Sequence, residues 1–242
     1  MASTAPNGAG RAILAALALS PSCALAQGIV SLESDVQYRH FTESDISVVS
    51  ARNSGELSFG NGFGVQGDVL VGRINDDDPS IDGQFQGLTL HGIYDLGGGT
   101  AAGAFLGRDF ARGPDSTVVG IEGRFDLQGS RIEPWVSYAF MDGQNTATFG
   151  LSAFSQMASG IGLEGQLTHA RVENDESLTD IEFTTSYQFM NGAEVFGTAG
   201  YFILDDGTDS AGEATLGLGV RVDLGPEGGT RFGSRSFFDA IR

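Results

Sequence analysis

From residue 28 to residue 224 the chain alternates apolar and polar residues, run after run, with tight glycine- or asparagine-containing turns between the runs. In one run Ile181, Phe183, Thr185, Tyr187 and Phe189 alternate with Glu182, Thr184, Ser186 and Gln188. Asn191-Gly192 follows, and then Val195, Gly197, Ala199, Tyr201 and Ile203 alternate with Glu194, Phe196, Thr198 and Phe202. A period of two sends successive side chains to opposite faces of a strand. A short Asn-Gly link between two such runs is the strongest local hairpin signal. The alternation predicts an all-β chain of about twelve strands, near 28–40, 46–59, 63–74, 84–96, 100–110, 116–127, 131–141, 145–157, 161–172, 179–189, 194–204 and 212–224.

The connections fall into two kinds that alternate along the chain. Gly60-Asn61-Gly62, Gly97-Gly98-Gly99, Gln128-Gly129-Ser130, Ala158-Ser159-Gly160 and Asn191-Gly192 are short and carry little charge. The segments 42–45, 75–82, 111–115, 142–145, 173–180 and 205–210 are polar, acidic and mostly longer. Outer-membrane barrels segregate short periplasmic turns from longer extracellular loops in this way, and they have an even strand count. The expected fold is therefore a closed, antiparallel, up-and-down transmembrane β-barrel, with both ends of the barrel segment at the periplasmic side. Pro134 removes a ladder donor and predicts a bulge or strand start there.

One face of the strands is apolar: Val30, Leu32, Val36 and Tyr38; Val65, Val69 and Val71; Val119, Ile121, Phe125 and Leu127; Leu216, Leu218, Val220, Val222 and Leu224. The opposite face is charged, and its arrangement predicts an acidic lumen. It carries Glu33, Asp35, Glu56, Asp68, Asp95, Glu122, Asp126, Glu133, Glu164, Glu182, Glu194, Glu213 and Asp223, with Arg39, Arg52, Arg124, Arg131 and Arg221. A soluble barrel with an apolar interior has the same alternation. Aromatic placement favours the membrane: Phe59, Phe63, Tyr94, Phe125, Tyr187 and Phe189 gather at the short-turn end, while Tyr38, Tyr138, Phe140, Phe149 and Tyr201 gather at the acidic-loop end. Two girdles belong at the two membrane interfaces. His169 falls on the supposed lipid face, and Phe85 and Ile93 on the lumen face.

Residues 1–26 read as a secretory signal, with Arg11, an apolar stretch from Ala12 to Leu19, and Ala24-Leu25-Ala26 before Gln27. The sole cysteine, Cys23, lies inside that segment. The barrel is expected over 27–224 and a tail over 225–242. The 13 basic residues, all arginine, stand against 31 acidic ones, and the formal net charge is −18. That balance excludes a nucleic-acid partner, which needs a basic surface.

Thr215, Gly217, Val220 and Val222 fit the pattern polar-x-Gly-x-x-hydrophobic-x-hydrophobic of an outer-membrane assembly signal. On these residues and the strand pattern the chain resembles the Gram-negative outer-membrane β-barrel proteins, and loosely the small porins of alphaproteobacteria. The resemblance covers nearly all of residues 27–224 and is architectural. It implies an outer-membrane location reached through the periplasm, contact with lipid and lipopolysaccharide, and engagement of the barrel-assembly machinery through the last strand. Such proteins usually end at an aromatic terminus, but this chain continues to Arg242 through Phe232, Phe237 and Phe238. The tail is expected on the periplasmic side, with a partial plug, a partner-binding segment and an unstructured end as open readings.

Twelve strands lie between the eight that close on a packed interior and the sixteen that leave a channel. An open path lined by these carboxylates predicts passive, cation-preferring diffusion of small solutes and ions. The other reading is a non-conducting structural or adhesion barrel whose charges pair across neighbouring strands. No enzyme and no cofactor is expected: His40, His91 and His169 lie apart, and a lumen hydrogen bond accounts for His91 with Asp95 on one strand face. The acidic runs 75–78, 173–176 and 205–209 offer oxygens suited to calcium but lack the spacing of a calcium-binding loop, so no metal site is assigned.

Overall fold

The computed structural model describes residues 28–78, 82–111, 115–141, 144–157, 159–173, 176–189, 192–225 and 229–241. The expected signal segment, residues 1–26, lies outside them. Twelve strands follow in order: β1 (Ile29–Phe41), β2 (Ser47–Gly60), β3 (Phe63–Asn75), β4 (Gly83–Gly97), β5 (Thr100–Phe110) and β6 (Ser116–Leu127), then β7 (Ser130–Met141), β8 (Gln144–Gln156), β9 (Ile161–Val172), β10 (Ser177–Gln188), β11 (Ala193–Asp205) and β12 (Ser210–Asp223). Each pairs antiparallel with its sequence neighbours, and β1 pairs with β12 from Glu33 opposite Asp223 to Phe41 opposite Thr215, which closes the barrel. The predicted strands agree with these to within a residue or two at either end, because a period of two is hard to shift without exposing a whole face to the wrong medium.

In an up-and-down barrel successive connections alternate between a turn end and a loop end. At the turn end Asn61 and Gly62 have φ of 55° and 80°, and Gln128 and Gly129 have 47° and 91°. Two successive positive φ values give the hairpin turn whose twist matches that of the strands. Pro134 does not start or bulge a strand, contrary to expectation. It lies inside β7, and the β6–β7 register is the same on either side of it, Glu122 opposite Trp135 and Phe125 opposite Ile132. The missing donor leaves a gap in the ladder without displacing it.

Burial settles which face is dry. Phe183 and Leu218 on the outward face are 67% and 64% exposed, whereas Gln66 and His91 on the inward face are 0% exposed. A soluble barrel with an apolar interior is thereby excluded: the apolar side chains point out and the charged ones point in. Phe85 and Ile93 also point inward, as expected, each in a small apolar cluster within the lumen. The largest such cluster joins Phe41, Val48, Leu70, Phe85 and Phe202 at the loop end.

Four inward aromatic rings lie flat on a glycine of the next strand. Phe85 covers Gly72, Phe105 covers Gly120, Trp135 covers Gly150 and Phe196 covers Gly219, and each pair sits directly opposite in the ladder. A Cβ at any of these glycines would collide with the ring. The glycine thus lets a large side chain lie along the wall instead of across the bore.

The tail corrects the expectation of a periplasmic segment. After Leu224, whose N–H donates to the Leu32 carbonyl, the described residues 229–241 lie inside the barrel. Phe232 is 1% exposed, and Phe238 stacks on Phe85 with ring centroids 4.6 Å apart. The segment ends in a short 3₁₀ turn, η1 (Phe237–Ala240), capped by Ser236 and Asp239. The apolar and cationic side chains that made 225–242 unlike the acidic loops find their partners on the inner wall.

Candidate functional site: the lumen

Three levels of the lumen carry its charge. Toward the turn end Arg221 reaches Glu194 at 3.2 Å and Glu33 at 3.7 Å, and Glu33 also pairs with Arg52, which lies farther up β2 and reaches Asp35 at 2.7 Å. Arg124 and Asp126 pair at 3.0 Å along β6, and Arg131 pairs with Glu133 at 3.0 Å along β7, since residues two apart on a strand share a face. At mid-height His91 of β4 stands between two carboxylates. Its Nε2 is 2.6 Å from Asp68 Oδ2 on β3, and its Nδ1 is 2.6 Å from Glu122 Oε1 on β6. Two such contacts require two protons shared among three groups. Toward the loop end Arg39 of β1 crosses to Asp180 of β10, both side chains 1% exposed, and donates to Thr215 at 3.0 Å. Glu182 lies 3.7 Å from Arg39.

The expected partnership of His91 with Asp95 does not form. Residues four apart along a strand are separated by about 13 Å, farther than neighbours on adjoining strands. Asp95 instead takes Arg231 of the tail at 2.9 Å. Glu213 also departs from its expected place as a pore-lining residue. It sits at the loop-end rim, where its carboxylate accepts from the N–H groups of Glu43 and Ser44 and from the Ser44 hydroxyl, so it fastens the β1–β2 connection. Glu33, Arg52, Arg124, Arg131, Glu133, Glu164, Glu182, Glu194, Arg221 and Asp223 border the cavity described below, whereas Asp35, Arg39, Glu56, Asp68 and Glu122 are buried against other side chains. Glu164 has no ion pair among the described residues and faces the cavity.

Several residues of the site were not singled out beforehand. Asp109, inside the predicted strand 100–110, and Asp180, at the end of the predicted loop 173–180, each share parity with lumen residues of their own strand. Asp109 accepts from the Ser236 hydroxyl at 2.7 Å and from the Phe237 N–H at 2.8 Å. Trp135 lies beneath the guanidinium of Arg235, 4.3 Å from its ring centroid. Arg231 and Arg235 carried the one usable signal, cationic residues in an otherwise acidic chain.

The tail leans on the wall made by β2 to β7 and leaves a cavity of about 350 Å³ beside it. That cavity is lined from the turn end, at Gln156, Gln188 and Glu194, to the loop end, at Leu178 and Asp180. The acidic loops turn their carboxylates to their own backbone. Asp206 accepts from the Asp209 N–H, from the Thr208 hydroxyl and from the Thr208 N–H, which holds its carboxyl down at about 2. Among the described residues no three His, Cys, Asp or Glu side chains converge as a metal would require.

With this geometry the chain has the fold of outer-membrane porins. The NanC porin is 14% identical, with a TM-score of 0.64 over 79% of this chain and 100% of that one. An outer-membrane channel of Pseudomonas putida F1 is 12% identical, with a TM-score of 0.60 over 85% of this chain and 100% of that one. The KdgM porin, also solved in complex with disordered oligogalacturonate, is 10% identical, with a TM-score of 0.56 over 78% of this chain and 98% of that one. No family model matches the chain, and no curated protein matches it in sequence.

Proposed function

We propose that the chain is an outer-membrane, porin-like barrel that lets small solutes and ions diffuse passively, with a preference for cations. The observation that carries this reading is the cavity of about 350 Å³ running beside the tail, inside a barrel that is apolar outside and charged within. Its lining includes Glu33, Glu133, Glu164, Glu182, Glu194 and Asp223, with Arg52, Arg124, Arg131 and Arg221 among them. Carboxylates outnumber arginines along this lining, and most of the arginines are held by carboxylates, so the field is negative and raises the local cation concentration. Fold likeness to porins supports the diffusion reading, and the outward apolar band supports contact with lipid and lipopolysaccharide. Export through residues 1–26 and recognition by the barrel-assembly machinery through β12 belong to the same reading. The alphaproteobacterial affinity stays a proposal as well.

Single-channel recording of the refolded mature chain in planar bilayers tests this, with a salt gradient to read selectivity. Stable steps with a cation-selective reversal potential are expected, together with a loss of selectivity in Glu164→Gln. A second reading is favoured by the apolar cluster of Phe41, Val48, Leu70, Phe85 and Phe202 and by the tail: a filled barrel with a structural role. A protein that inserts, shows heat-modifiable migration and never conducts would decide for that alternative.

A further inference from the structure

The wall from β2 to β7 presents Glu56, Asp95, Asp109, Glu122 and Glu133 to the lumen, and the tail lies against them. We propose that this wall is a binding groove for an extended, guanidinium-bearing aromatic peptide, that it contains two guanidinium subsites, and that residues 229–241 are its resident internal ligand.

The first subsite holds Arg231. Its guanidinium lies 2.9 Å from Asp95 and 3.4 Å from Glu56, and its N–H donates to Glu56 at 2.9 Å. Its carbonyl accepts from Arg124 at 3.0 Å. The second holds Arg235, whose Nε donates to Glu122 at 2.8 Å and whose Nη2 lies 3.4 Å from Glu133, with the Trp135 face beneath the plane. A carboxylate pair at the edge and an aromatic face below suit a planar guanidinium and not a compact ammonium. Between the two, Gln66 treats Phe232 as a neighbouring strand would. Its amide nitrogen donates to the Phe232 carbonyl at 2.7 Å, and its amide oxygen accepts from the Phe232 N–H at 3.1 Å. That contact reads backbone, so it fixes an extended segment whatever its side chains. Asp109 then stops the segment by taking the Ser236 hydroxyl and the Phe237 N–H.

The seated ligand has two effects on the lumen. It occupies the β2–β7 side of the bore, and its two cations offset carboxylates that would otherwise face water. These effects on permeation rest on the diffusion reading above, whereas the seat itself does not.

The test has two arms. The mature chain has no cysteine of its own, and a Cβ built on Gly87 lies 3.1 Å from the Cβ of Ser236. That is shorter than the roughly 3.5–4.5 Å usual in disulfides, and the same Cβ lies 2.7 Å from Asp109 Oδ1, so a small outward shift of the tail accommodates the bond. In Gly87→Cys with Ser236→Cys, mild oxidation is expected to cross-link the tail to β4, and peptide mapping without a disulfide would overturn the seat. The second arm records Arg231→Ala with Arg235→Ala in planar bilayers, with heat-modifiable migration as the check on folding. Conductance is expected to rise and the reversal potential to shift further toward cations. Added guanidinium chloride is then expected to raise the current less than the same concentration of potassium chloride, because guanidinium refills the vacated subsites. Arg231→Ala alone gives the same readout should the double variant not fold. Where the wild type conducts, unchanged conductance in the variant, or guanidinium acting no differently from potassium, overturns the subsites. Cross-linking in a barrel that never conducts, wild type included, upholds the seat and sinks the diffusion reading alone.

Discussion

Arg39 and Asp180 meet inside the lumen from strands with two others between them, and both side chains are 1% exposed. Each has left water for the other, so the pair matters less for its attraction than for what remains when one partner is lost. Replacing a buried ion-pair partner strands the other charge at a cost of about 3–5 kcal/mol. Asp180→Asn is expected to destabilise the lipid-reconstituted barrel in urea by no more than a free energy of that order, because Glu182, 3.7 Å from Arg39, remains as a partner. Glu213→Gln, at the exposed rim, is expected to change it far less, because surface contacts are worth about 0–1 kcal/mol. Equal losses in the two variants would mean that the lumen is wetter than its burial indicates. This pair also marks where the sequence stops being informative. Alternation placed Arg39 on the inner face, but it carries no angular information around the bore. Which residue lies across from Arg39 depends on strand tilt and stagger once the sheet has closed.

At the scale of the strand, the pairing of an inward ring with a glycine opposite explains a composition that otherwise reads as loose. Of the 37 glycines, Gly72, Gly120, Gly150 and Gly219 sit under aromatic rings. Gly150→Val is expected to lift Trp135 off the wall, break its stacking with Arg235 and shift the emission of the chain's one tryptophan. Overpacking of this kind costs about 1–3 kcal/mol. A substitution at Gly67, whose Cβ would meet nothing within 4 Å, is the matched control and is expected to leave the emission in place. Strand extents were legible because every second residue repeats the same choice between lipid and lumen. The partners of Asp109 and Asp180 were not, because an acidic residue near a strand end suits a loop and a lumen equally well.

For the molecule as a whole, the tail is the part that no periodic signal foretold. It makes neither a strand nor a long helix, and its partners lie on strands more than a hundred residues earlier, as Arg235 does with Glu122. A segment held by individual side chains leaves no rhythm in the sequence. Its position has a consequence in time. The tail is tethered to β12, which pairs only with β1 and β11, yet it rests on β2 to β7. The far wall exists as a curved surface only after the β1–β12 seam has formed. During refolding into vesicles, resistance of residues 229–241 to proteolysis is therefore expected to appear no earlier than heat-modifiable migration; protection that comes first would contradict this order. A barrel that stalls unsealed keeps its end in solution, where exopeptidases begin. A sealed one draws residues 229–241 against its inner wall, so shelter of that segment reports that the seam has closed.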